Sequence, residues 1–222
     1  MEQTEIYKLI KTGQFEQALS ALFENIESRP EEVENYINAA ILLAEAGELE
    51  KAEKCFQRAI TLEPENGAIY YNMANVYYNE GRFQEAIRLY QTSVKNGVND
   101  VDVNYMIGMA FTQLDAHKEA LPYFMRAVEL DTQQDVEIQF QYGLTLCRLE
   151  LFEQAVAQLE HVLTLDAKHV DAHYNLGLAQ FMIDEDIDKA IDTFEKAVAL
   201  QPDHHLSQHA IQTFKAMRSE EV

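Results

Sequence analysis

Histidine and cysteine are the residue types here that could ligate a metal or act as nucleophiles. His169 and His173 lie four residues apart, as do His205 and His209, a spacing that stacks two imidazoles on one helical face. A native metal site needs a third ligand, which neither pair brings, and the first pair straddles a turn. Cys55 and Cys147 stand in helical patterns, outside any CxxC spacing, and read as partly buried free thiols. HExxH, a glycine-rich phosphate loop and a nucleophile motif do not occur in the sequence. Paired carboxylates are abundant, as a solvated acidic face explains. The expectation is a non-enzymatic protein with no cofactor and no metal, whose chemistry is recognition.

The recognition candidates fall in columns that recur along the chain. One column holds Ile37, Tyr71, Tyr105, Phe140 and Tyr174; one turn on come Ile41, Asn75, Met109, Leu144 and Leu178. Three residues further stand Ala44, Tyr78, Thr112, Cys147 and Phe181. As a surface, these residues form an apolar, aromatic-lined trough with rigid anchors for a partner's peptide or helix. As structure, the same side chains pack on neighbouring helices. Beside the ladder run Asn38, Asn72, Gln141 and Asn175, interrupted by Met106; an amide can serve a ligand backbone or an adjacent unit. Glu34, Asp102, Glu137 and Asp171 precede the ladder by three residues and suit either a basic ligand or the helix dipole. Arg148 is the one base placed on this side.

The elements that position these columns are pairs of amphipathic helices. In Tyr70–Val94, Tyr70, Met73, Ala74 and Tyr77 follow the i, i+3, i+4, i+7 rule, and a second helix opens near Arg82 after Gly81. Ala18, Ala52, Ala86, Ala120, Ala155 and Ala190 keep step at 34 or 35 residues. Four residues after each comes Leu22, Phe56, Tyr90, Phe124, Leu159 or Phe194. Small residues let helices approach, and the large residue fills the gap, at about 1.5–3 kcal/mol per buried side chain. On the first helices Ala40, Ala74, Gly108, Gly143 and Gly177 form a second small column. Gly13, Gly47 and Gly81 end first helices in a left-handed conformation, with Asp115 and Glu150 in their place later. Pro30, Pro64 and Pro202 close copies, and Pro122, inside a second helix, predicts an early kink.

This pattern resembles the tetratricopeptide repeat (TPR) family, whose repeat of about 34 residues runs W-x2-L-G-x2-Y, A-x3-F, P. The best copy carries Tyr36, Ala39, Ala40, Leu43, Ala52, Phe56 and Pro64 in register. The resemblance implies an all-α, right-handed superhelix of six helix-turn-helix repeats, at about 3–32, 33–66, 67–100, 101–134, 136–169 and 170–204, with a capping helix at 205–219. Copy one is worn, with Ile6 at a small-residue position as for a terminal repeat facing solvent. Copies five and six each carry one extra residue, near Gln133–Val136 and in Asp184–Ile187. By resemblance the first helices line a concave groove, placing Ile37, Asn38, Ile41, Tyr71, Asn72, Asn75, Tyr78, Tyr105, Met109, Phe140, Leu144, Arg148, Tyr174, Asn175, Leu178 and Phe181 at a partner. The family's lysine and arginine clamp for chaperone tails is not matched, because those positions hold acids, tyrosines and asparagines.

Charge narrows the partner. With 38 acidic and 17 basic residues the net charge is −21, and both halves share the excess. Such a surface repels nucleic acid and anionic membranes and favours a protein or peptide with apolar anchors and basic residues. The 47% hydrophobic content supports a sizeable core, and 8 Gly with 4 Pro favour helix. The start lacks a signal-peptide pattern and no apolar run reaches membrane-spanning length, so a cytoplasmic adaptor is expected. Self-association through the terminal repeat is compatible with the pattern. The alternative is a sensor that changes superhelical pitch on binding a short signalling peptide.

Overall fold

The computed structural model describes residues 1–220, and these form thirteen helices and no strand. Two compact units divide the chain, residues 1–114 and 115–222. The first unit holds α1 (Gln3–Lys11), α2 (Phe15–Ser28), α3 (Val33–Glu45), α4 (Leu49–Leu62), α5 (Gly67–Asn79), α6 (Phe83–Lys95) and α7 (Val101–Gln113). The second holds α8 (His117–Leu130), α9 (Val136–Arg148), α10 (Phe152–Leu165), α11 (Val170–Asp184), α12 (Ile187–Leu200) and α13 (His205–Glu220). Within each unit every helix packs on the next in sequence. The sheet-free architecture follows from the long helical periodicity and the scarcity of turn residues.

The helix turns form where the chain permits a left-handed residue. Gly13, Gly47 and Gly81 have φ of 74°, 77° and 72°. Asp115 and Glu150 adopt φ of 57° and 59° at the corresponding turns, a conformation costing an ordinary residue about 1–2 kcal/mol. Both expected insertions also contain a left-handed residue, Gln134 and Glu185, each at φ 55°.

The alanine register forms the core. All six marker alanines are fully buried, and so are the bulky residues four positions later. Gly177 shows why the partner column is small: a Cβ there would lie 2.6 Å from Cε1 of Phe194. Gly143 meets Leu159 in the same way, at 3.2 Å. First and second helices of one copy therefore interlock, glycine against aromatic or leucine.

One expectation is revised: Ile6 does not face solvent but is fully buried in a cluster with Ala18, Leu22 and Ala39. Pro122 sits inside α8, which spans His117 to Leu130.

Side chains tie the first helices to the turns before them. Tyr36 and Tyr70 donate their hydroxyls to the carbonyls of Pro30 and Pro64, six residues back, at 3.1 and 2.7 Å. Gln208 of α13 does the same to Pro202 at 2.6 Å. The capping helix thus begins with the same tie to a preceding proline carbonyl as the first helices α3 and α5. In the first unit Arg82 joins copies: its guanidinium lies 3.8 Å above the Tyr77 ring and bonds Glu53 at 2.8 Å and Glu85. Tyr77 donates to the same Glu53 oxygen at 2.7 Å.

Candidate functional site

In residues 115–222 the first helices α9 and α11, together with α13, enclose a trough of about 700 Å³. Six of the sequence candidates line it: Leu144, Arg148, Tyr174, Asn175, Leu178 and Phe181. Their helical spacing of three, four and seven residues puts them on one face of each helix. The floor is an aromatic cluster. Phe214 of α13 meets Phe181 edge-on at 4.6 Å and Phe194 at 5.2 Å, and Tyr174 lies 5.9 Å from Phe194. Phe194 is sealed in the core, so the floor is rigid. Leu206 and Met182 stand on the rim, each 56% exposed.

The polar atoms at this site are few. Cys147 lines the trough half-buried, and burial pushes its thiol up to about 11, a shift Arg148 only partly opposes. Asn175, which lines the trough, donates its amide to the Asp171 carbonyl at 2.8 Å. Arg148, at the last position of α9, is exposed, and Glu150 follows it in the left-handed turn.

Histidines hold the walls in place. His169 caps α11, its Nδ1 accepting from the Ala172 amide at 3.2 Å, with its ring 4.3 Å from that of Phe140. His173 reaches the Ala167 carbonyl at 3.1 Å. The i, i+4 histidine pair is therefore occupied with helix ends and packing. At α13, His204 contacts Ser207 Oγ through Nδ1 at 2.7 Å and Asp171 through Nε2 at 3.2 Å. This Asp–His–Ser chain has the composition of a hydrolytic triad, but Ser207 is fully buried and no substrate carbonyl can reach its oxygen. It works as a strap from α11 to the start of α13. The sequence reading missed it because His204 lies in a turn, outside the helical columns.

The remaining candidates divide by their contacts. Phe140 is only 7% exposed and packs under His169, so it binds the helices together. In residues 1–114, Tyr71 is half-buried with its ring 5.8 Å from that of Tyr90, whose hydroxyl donates to Asn75 at 2.6 Å. Burial, with Tyr71 and Tyr78 close by, pushes the Tyr90 hydroxyl far above its ordinary range. Asn72 donates to the Ala68 carbonyl at 2.8 Å, and Tyr78 meets Phe83 edge-on at 5.3 Å. Asn72 and Asn175 thus bond within their own helices. Ile41, Tyr105 and Met109 are half-buried. Ile37 borders a separate acidic cleft with Glu31, Glu32, Glu34 and Glu63, and Asn38 lies near Tyr7, whose hydroxyl donates to Glu34 at 2.9 Å. Among the described residues no three His, Cys, Asp or Glu side chains cluster for a metal, and no helix is long and apolar enough to cross a membrane.

Comparison with known proteins agrees with this architecture. Tetratricopeptide repeat models match at residues 7–68 and 143–205, at 43–109 and at 101–134. The structure is similar to that of YrrB, described as a TPR protein with an unusual peptide-binding site, at 35% identity and a TM-score of 0.79, over 86% of this chain and 98% of that one. It also shares its fold with the C-terminal part of a TPR repeat-containing protein from Cytophaga hutchinsonii, at 17% identity and a TM-score of 0.75, over 90% of this chain and 79% of that one. In sequence it is 34% identical over 91 residues to the BBSome complex member BBS4 of Bos taurus; the match takes in 41% of this chain and spans only 17% of that protein. With repeat models matching over more than half its length, the chain belongs to the tetratricopeptide repeat family, whose fold in general supports protein–protein interaction.

Proposed function

We propose that the trough in residues 115–222 binds an apolar segment of a partner protein, and that the protein acts as a non-enzymatic adaptor through this contact. The observation that carries the reading is the exposed apolar wall over an aromatic floor: Leu178, Phe181, Leu206 and Met182 surround about 700 Å³ that none of the described residues fills. A large bulky anchor seated there gains about 1.5–3 kcal/mol from burial, enough for about a tenfold to hundredfold change in affinity. The net charge of −21 draws basic segments toward the surface at long range. The peptide-binding site named for the similar YrrB supports the same kind of ligand.

The test is selection from a random peptide display library on the intact protein. Peptides enriched on the wild type are expected to share bulky apolar anchors and to lose at least tenfold in affinity for Leu178→Asp, a half-buried rim position. Equal binding by wild type and Leu178→Asp, with both proteins folded by circular dichroism, overturns the trough as the site.

A further inference from the structure

Resting on that reading of the trough, we infer that Arg148 selects a side-chain carboxylate on the bound segment, next to its apolar anchor. The first helices of copies two to six, α3, α5, α7, α9 and α11, contain no lysine and only this arginine, whereas α1 carries Lys8 and Lys11. Four of the other six arginines, Arg29, Arg82, Arg126 and Arg218, each hold a carboxylate of the chain. Arg148 has no carboxylate partner among the described residues, although acids outnumber bases 38 to 17 in the chain. Arg148 instead lines the trough with Leu144, Cys147 and Leu178.

This position is suited to a ligand carboxylate. The C-terminal end of α9 carries the negative pole of the helix, which stabilises the cation. Exposed to water, a single arginine–carboxylate pair contributes little. Once a bound segment covers the apolar wall, water is displaced around the guanidinium and its planar fork can grip a carboxylate at two points. Glu150, two residues on, repels an acid placed on its side of the rim, so the pair of charges orients the segment. The long-range preference for basic partners and the local demand for one acid act over different distances and coexist in one segment.

Display selection on wild type and on Arg148→Glu decides the point. Wild-type selectants are expected to carry Asp or Glu at a constant spacing from the apolar anchor, and Arg148→Glu selectants to carry Lys or Arg there. The best wild-type peptide should lose about tenfold in affinity for Arg148→Glu and recover it when its acid is exchanged for lysine. Amidating the peptide's C-terminus should leave its binding unchanged; dependence on a free C-terminal carboxylate overturns the side-chain assignment. Selectants that keep the anchors but show no acid, or the same consensus on both proteins, overturn the role of Arg148 while leaving the trough standing. Peptides indifferent to Leu178→Asp overturn both.

Discussion

Gly177→Ala places a methyl group against the ring that supports the trough. The added Cβ would sit 2.6 and 2.9 Å from Cε1 and Cδ1 of Phe194, closer than relaxed contacts allow, and 3.2 Å from Cζ. Phe194 cannot retreat freely, because it is fully buried with Phe214 at 5.2 Å and Tyr174 at 5.9 Å. Overpacking of this kind costs about 1–3 kcal/mol, while alanine in place of a mid-helix glycine returns about 1 kcal/mol. The net loss is about 0–2 kcal/mol, or up to roughly 6 °C in Tm for a chain of this size. Differential scanning calorimetry reads it, with Gly143→Ala as the comparison: its nearest contact, Leu159 Cδ2 at 3.2 Å, is the end of a flexible side chain and should yield with little change. Adding Phe194→Leu to Gly177→Ala should recover part of the loss. A Gly177→Ala protein that melts higher than wild type, as helix propensity alone dictates, refutes the interlocking of glycine and aromatic.

Glu53→Gln should flatten the loss of stability in acid. Hydrogen bonds from Tyr77 and Arg82 hold the Glu53 carboxyl below the usual range in the folded protein, so its contribution is present above the unfolded-state value and disappears as pH falls through the folded one. Urea melts at pH 7 and pH 3.5 should show a smaller drop for the variant; equal drops contradict the assignment. Cys147, with its thiol pushed up to about 11, should react at pH 8 with a maleimide about a hundredfold more slowly than a free cysteine, and more slowly still with a selected peptide bound. A Cys55→Ser background isolates the signal, and a free-cysteine rate would show that the site is not buried as described.

Much of the fold was legible because repetition turns a weak local signal into a strong one. A single alanine says little, but six in step, each followed four residues later by a bulky apolar side chain, place every second helix and its buried face. The left-handed turns could be read even at Asp115 and Glu150, where register replaced glycine as the cue. Residue type could not reveal which ladder members stay exposed. Phe140 and Tyr174 occupy the same column, yet Phe140 is covered by His169 from the following turn while Tyr174 lines the trough. Those partners come from irregular segments, where no periodicity exists to read. The aspartate–histidine strap at His204 and the tie from Gln208 back to Pro202 were invisible for the same reason.

The most direct measurement is methyl NMR of the intact protein, with leucine and methionine methyls labelled, titrated with a peptide selected by display. The account predicts shift changes centred on Leu144, Leu178, Met182 and Leu206, saturating together and abolished by Leu178→Asp. Changes centred on other methyls, with these four unmoved while the peptide binds, would contradict it.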